Sequence, residues 1–347
     1  VMDTWATSAV SPNLNSLGIS DKYYLDLEKH KQLFPADLRP QGQEIIRTWA
    51  YYTMLKSYLH ENSMPWKNIM ISGWCLAKDK SKMSKSKGNI VDPVKLLDIY
   101  GADVVRYWAS TSRLGSDTAY CEEVLKNGKR IINKLWNSAK FVSMHIADIK
   151  SPDTIAALVK SHTIFYSADL WLLSKLQSTI NNVTASLENY EYALAREYLE
   201  QFFWNDFCDN YLEIIKLRIY DPNNLNPKGK QSAQYILYYV LQILLKAFAP
   251  YIPHITEEIY GTLYSDRSVH AKGNWPQVTI DVKEADIKQA EQTLLILDHV
   301  RKVKAQQNLS IKAEIELIEY NFADNFILND NMIADLQNVT NTSKILH

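Results

Sequence analysis

Lys80-Ser81-Lys82-Met83-Ser84-Lys85-Ser86-Lys87-Gly88-Asn89 is the stretch on which the reading of this chain turns. Cations and hydroxyls packed this densely repel one another and resist burial, so the segment reads as an exposed loop rather than a helix or strand. Taken as composition alone, it is a solvated turn. Taken as chemistry, it is an anion-binding loop. Lysine carries a compact charge on a flexible stem, serine adds hydroxyl donors, and Gly88 lets the backbone turn. A triphosphate has the charge to draw such a loop in.

Working outward, Asn68-Ile69-Met70-Ile71-Ser72-Gly73 is a short β-branched run ending in Ser-Gly, which reads as a buried strand. Residues 44–59 before it read as an aromatic-rich helix, and helix followed by strand points to α/β architecture with a parallel sheet. Beyond the loop, Asp92 caps a helix, Pro93 sits where its missing N–H does no harm, and Gly101 stops it. From about 118 to 270 the periodicity is helical: 122–145, 168–187, 190–219 and 232–248, the last ended by Pro250 and Pro253. Four such helices make an antiparallel bundle, with Asn223, Asn224, Asn226, Pro227 and Gly229 marking an exposed loop inside it. After about 276 a helix is expected over 284–307 and a half-buried strand over 313–319. Three regions result: 1–115, an α/β region; 116–275, an all-α bundle; and 276–347, a small mixed α/β tail.

The chain is 46% hydrophobic with a net charge of −1, so it is globular and exerts no global pull on nucleic acid; any RNA contact must come from local patches. Cys75, Cys121 and Cys208 lie far apart, which excludes a zinc knuckle or disulfide framework and suits a reducing cytoplasm. No apolar run approaches 20 residues, so no membrane partner is expected. Val1 is not a start methionine and Val1-Met2-Asp3-Thr4-Trp5 reads like the middle of an element, so the chain is expected to be a fragment.

Lys82-Met83-Ser84-Lys85-Ser86 resembles the KMSKS signature of class I aminoacyl-tRNA synthetases, and Gly101-Ala102-Asp103-Val104-Val105-Arg106 is similar to the family's GAD-x-x-R helix start. Ser81 departs from the glycine or arginine often found before the signature. The resemblance implies the C-terminal half of a Rossmann-like nucleotide-binding fold, then an anticodon-binding bundle. It implies that Lys82 and Lys85 grip the phosphates of ATP, with Ser84 and Ser86 beside them. Mg2+ would come with the substrate phosphates, and no metal is expected on the protein itself. Gln41-Gly42-Gln43-Glu44 resembles the Gly-x-Asp motif, which puts Gly42 and Glu44 at the ATP ribose, with glutamate in place of aspartate. The family's His-x-Gly-His loop is absent, so the chain alone is expected to be inactive.

Asp3-Thr4-Trp5-Ala6-Thr7-Ser8 resembles the valine-charging members, in which the residue equivalent to Trp5 walls the aminoacyl pocket. The implied substrates are L-valine, ATP and tRNA(Val), and a cytoplasmic monomer is expected. Asn137 and Phe141 match residues that sit beside the central anticodon base, with Arg130 available for phosphates. The aromatic run 202–213 resembles a bundle signature and is expected to be core. An isoleucine- or leucine-charging enzyme, or a non-catalytic tRNA-binding module with a decayed loop, are the alternatives. The complete five-residue signature argues against decay.

Overall fold

The computed structural model describes residues 3–17, 26–147, 149, 154–221, 223, 225–264, 268–272, 274–322 and 326–347. Val1, Met2 and Asn224, on which expectations above fall, lie outside the described residues. The chain divides into two compact units, one spanning Val1–Ile99 and Trp108–Val124, the other Tyr100–Tyr107 and Leu125–His347.

In the first unit, strand β1 (Ala36–Gly42) pairs in parallel with β2 (Trp66–Ser72), ending with Gly42 opposite Ser72. The expected strand at 68–73 is therefore present, shifted by a residue or two, and the parallel pairing is as the helix–strand order implied, but the strand is not buried: only Trp66 is enclosed, and Lys67, Asn68 and Ile69 are exposed. The intervening segment is helical from Gln43 to Glu61, tight over Gln43–Ile45, wide over Ile46–Ala50 and regular over Tyr51–Glu61. It buries Trp49 and Ala50 against Trp66, the two indoles stacking at 5.5 Å, with the Arg39 guanidinium 3.8 Å from the Trp49 ring centroid. A second parallel pair, β3 (Cys75–Leu76) with β4 (Thr118–Ala119), lies beyond Gly73. Gly73 has to be glycine: a Cβ there would stand 2.2 Å from the Ser116 carbonyl oxygen, a backbone atom with nowhere to go.

The second unit is helical, with a small sheet at its C-terminal end. The helices Ser167–Glu188, Pro227–Phe248 and Glu284–Gln306 match expectation within a few residues. The helix expected over 190–219 is helical from Tyr192 to Ile214, with its middle, Phe202–Tyr211, wound with the wider i→i+5 spacing, and after a break at Ile215 continues as the short Lys216–Tyr220 helix. Phe202, Phe203, Phe207, Cys208 and Tyr211 are buried there, so the aromatic run is core. The thiol of Cys208 lies 3.4 Å from the Ser138 hydroxyl, and burial pushes its pKa up to about 11. The loop expected over 223–229 is shorter than predicted. Asn226 caps the Pro227–Phe248 helix by accepting from the Gly229 N–H at 2.9 Å, so Pro227 and Gly229 belong to its first turn. Asn followed by Pro is an N-cap signal as well as a turn signal.

The tail forms a small β-α-β arrangement: β5 (Ile315–Glu319), the helix Asp330–Thr340, and β6 (Thr342–Leu346) parallel to β5. The buried Lys304 ammonium donates to the carbonyls of Ile311, Ala313 and Thr340 at 2.7–2.8 Å, tying the end of the Glu284–Gln306 helix to this sheet. Deeper in, Arg218 bridges two buried carboxylates. It forks onto Asp169 at 2.9 and 3.2 Å, and its Nε lies 3.2 Å from Asp335. Among the described residues no helix is long and apolar enough to cross a membrane.

Candidate functional site

The lysine-serine loop is exposed, as its composition requires, but it is not slack. Ala77 and Lys80 close a turn, with the Ala77 N–H donating to Ser81 O at 2.9 Å, and Asp79 accepts from the Ser81 N–H and hydroxyl at 3.0 and 2.8 Å. Asn89 braces the two limbs. Its Oδ1 accepts from the Ser84 N–H at 2.9 Å, and its Nδ2 donates to the Ser81 hydroxyl and the Lys82 carbonyl at 2.8 and 3.2 Å. Ser84 caps the short Lys85–Lys87 turn, which Gly88 closes at φ +65. The Ser84 and Ser86 hydroxyls stand 3.2 Å apart.

The lysines differ in setting. The Lys82 ammonium lies 3.7 Å over the Trp74 ring centroid, a cation–π contact that holds an exposed side chain in one direction. Lys85 is exposed on the outer turn. The loop thus presents two ammonium groups and two hydroxyls on a backbone braced by Asn89 and Asp79, a donor set that fits a polyphosphate. The sequence reading missed Trp74, Asp79 and Asn89. Asn89 directly after a loop glycine was the available signal.

Gly42 and Glu44 stand at the C-terminal end of β1, where it meets the first helical turn. The Glu44 carboxylate folds back over Gly42, so a Cβ on Gly42 would lie 2.5 Å from its oxygen. One step on, Gln43 Nε2 donates to Asp117 Oδ1 at 3.2 Å, and the same oxygen accepts from the Trp74 N–H at 2.8 Å. Asp117 therefore links the neighbour of Glu44 to the residue beneath Lys82. Both predicted ATP-binding segments emerge from C-terminal ends of the parallel strands, the usual ligand position in such sheets.

Trp5 lies in the short Thr4–Ser8 helix, which Asp3 caps by accepting from the Trp5 N–H at 3.3 Å. This helix is fastened by the Trp49 indole, which donates to Ser8 O at 3.1 Å, and by the Lys56 ammonium, which donates to Ala6 O. The Trp5 side chain remains 36% exposed.

Arg130, Asn137 and Phe141 belong to the second unit, on the Glu122–Ser143 helix. Spacings of seven and eleven residues are close to two and three turns, so the three share one face. Arg130 and Asn137 are exposed and Phe141 is partly buried. Arg130 donates to Asn127 Oδ1 at 2.8 Å. Phe141 meets His145 and Tyr220 edge-on at ring-centroid distances of 4.9 and 6.3 Å. His145 and Tyr220 were not among the residues predicted for this face.

The family described as tRNA synthetases class I (I, L, M and V) matches residues 1–120, and the family described as anticodon-binding domain of tRNA ligase matches residues 169–319. The chain is 56% identical over 346 residues to a valine--tRNA ligase of Rickettsia felis, an alignment covering 99% of this chain and 40% of that protein. The chain thus spans about two fifths of the length of that relative. An Agrobacterium radiobacter K84 agnB2 LeuRS-tRNA-LeuAMS ternary complex shares the fold with a TM-score of 0.65 at 18% identity, covering 94% of this chain and 41% of its own. Mycobacterium tuberculosis methionyl-tRNA synthetase, in complex with methionyl-adenylate, gives a TM-score of 0.60 at 23% identity over 78% of this chain and 53% of its own.

Proposed function

We propose that this chain, which matches class I tRNA synthetases over residues 1–120 and the anticodon-binding domain of tRNA ligases over 169–319, supplies the phosphate-gripping loop and the anticodon-binding region of a valine–tRNA ligase. The observation that carries this reading is the braced loop at 82–86, with the Lys82 ammonium held over Trp74 and Lys85 on the outer turn. The reaction is ATP-dependent activation of L-valine to valyl-adenylate, followed by transfer to tRNA(Val). The valine carboxylate attacks the α-phosphorus and pyrophosphate leaves, a step that needs no protein nucleophile. The protein's task is to align the reactants and to neutralise charge growing on the leaving group.

In this scheme Lys82 and Lys85 hold the departing phosphates, and the Ser84 and Ser86 hydroxyls donate to their oxygens. Glu44, folded over Gly42, accepts from the ribose hydroxyls, and Trp5 walls the side-chain pocket. Mg2+ would ride on the nucleotide. Among the described residues no group of three or more His, Cys, Asp or Glu is arranged to hold a metal on its own. Residues 1–115 would serve as the catalytic portion, 116–275 as the anticodon-binding bundle and 276–347 as a C-terminal appendage. Arg130, Asn137 and Phe141 would face the anticodon of tRNA(Val), and the enzyme would act in the cytoplasm as a monomer.

The test uses the full-length enzyme. Lys85→Ala should lower valine-dependent pyrophosphate exchange by about 10²–10³, equivalent to about 2.7–4 kcal/mol of transition-state stabilisation. Activity within a few-fold of the parent would remove Lys85 from the site. Stronger exchange with isoleucine or leucine than with valine would reassign the substrate.

A further inference from the structure

Tyr220 is 79 residues from Phe141 in the chain, yet the two rings meet. Tyr220 ends the short Lys216–Tyr220 helix. Its ring centroid lies 6.3 Å from that of Phe141 and 5.0 Å from that of His145, and Phe141 and His145 are 4.9 Å apart. All three pairs are edge-on, with interplanar angles of 60, 70 and 86°. The preceding residues on the same helix, Arg218 and Ile219, turn inward and are buried, but Tyr220 keeps 52% of its surface open. The bundle has no need of it as core, because the neighbouring aromatic column at Phe203, Phe207 and Tyr211 is already enclosed.

Between the two rings stands His145, in the turn after the Glu122–Ser143 helix. Its Nε2 is enclosed and meets no hydrogen-bond partner. Burial, and to a lesser extent the nearby charge of Lys230, holds its pKa below the usual histidine range. The imidazole is therefore neutral at pH 7 and spaces the two rings without adding a desolvated cation between them. Lys230 stands close enough to bring positive charge to His145, and Arg130 and Lys134 lie about three and two turns back along the face of Phe141. An open aromatic ring beside cations is the combination that takes an unpaired base and its phosphate.

We infer that Tyr220 is a base-stacking residue: it and Phe141 form one aromatic platform, spaced by His145, on which an unpaired anticodon base of the RNA is held. This rests on the anticodon-face reading of Phe141 and extends it to a residue from a separate helix.

The experiment titrates this chain into tRNA(Val) anticodon stem-loops carrying 2-aminopurine at each anticodon position in turn. Tyr220→Leu keeps a bulky apolar side chain but removes the ring. It should weaken binding by about five- to a hundredfold and abolish the stacking quench at one position, with the thermal midpoint unchanged. Tyr220→Phe should bind within about twofold of the parent and keep that quench. If Tyr220→Leu binds and quenches like the parent while Phe141→Ala loses affinity, the Tyr220 assignment is overturned and the Phe141 face stands. If Tyr220→Phe loses as much as Tyr220→Leu, the hydroxyl rather than the ring is at work and the stacking role is again overturned. If the parent does not distinguish the cognate loop from a scrambled one, the anticodon reading falls and this inference falls with it.

Discussion

Asp335 is a carboxylate with too few donors. One oxygen faces Arg218 Nε at 3.2 Å, while the other is buried and meets no partner. The Arg218 fork is spent on Asp169, which also accepts from the Tyr211 and Ser232 hydroxyls. Burial pushes the Asp335 pKa up to about 7; the Arg218 charge pulls the other way and loses, because its best hydrogen bonds go elsewhere. A carboxyl with a folded-state pKa near 7 and an ordinary value of 3.8 holds a proton that unfolding releases. Stability conferred by that proton is full below about pH 4 and is lost as pH rises toward 7. Asp206, pushed up to about 6 by burial, acts with the same sign over a narrower window. Urea midpoints measured from pH 4.5 to 8 should therefore show a downward contribution that Asp335→Asn removes, flattening the slope by up to about 1.4 kcal/mol per pH unit. Identical slopes in parent and variant would mean that Asp335 is already ionised across this range. None of this was legible in the sequence, where Asp335 is one acid in a polar helix and Arg218, which it faces, lies 117 positions away.

Among the elements, the helix start at Gly101-Ala102-Asp103 shows how a short string can hold a distant corner. Asp103 is buried in the first turn of the Ala102–Ala109 helix and spends its carboxylate on another helix. Its two oxygens accept from the His254 and Ile255 N–H groups at 3.1 and 2.8 Å, the opening turn of the Pro253–Leu263 helix. Arg106, one turn on, donates to Pro250 O at 2.7 Å. Pro250 and Pro253 end one helix and start the next, and Asp103 satisfies N–H groups that no local side chain caps. Asp103→Ala should lower unfolding free energy by about 1–2 kcal/mol in chemical denaturation, and Asp103→Asn by less, since it keeps an acceptor. Equal losses for both would point to the charge rather than the cap. Helices with clean apolar periodicity, such as Glu122–Ser143 and Ser167–Glu188, were readable to within about two residues. Strand β1 was not. Ala36–Gly42 is polar, contains Pro40 and is half-exposed, so it lacks both the alternation and the apolar run that announce a strand. Only its pairing with β2 identifies it.

For the whole molecule, a net charge of −1 means that any attraction for RNA would have to be local, and the Glu122–Ser143 helix gathers the cations Lys126, Lys129, Arg130, Lys134 and Lys140. Binding to an anticodon stem-loop should weaken with salt, and Arg130→Ala should flatten the plot of log affinity against log salt by about 0.7–0.9. An unchanged slope would take Arg130 off the phosphate path. The lysine-serine loop proposed to hold phosphate was legible because its chemistry is contiguous, five residues in one string. The Phe141–His145–Tyr220 cluster was half legible, because Phe141 announces itself on a helix face while Tyr220 arrives from another helix altogether. The thiols carry a last consequence. Cys75 and Cys121 are exposed, whereas Cys208 is sealed beside Ser138. A disulfide reagent will therefore consume two sulfurs at once and wait for the third, and that delay is a stopwatch on how often the bundle breathes, readable without any label added to the chain.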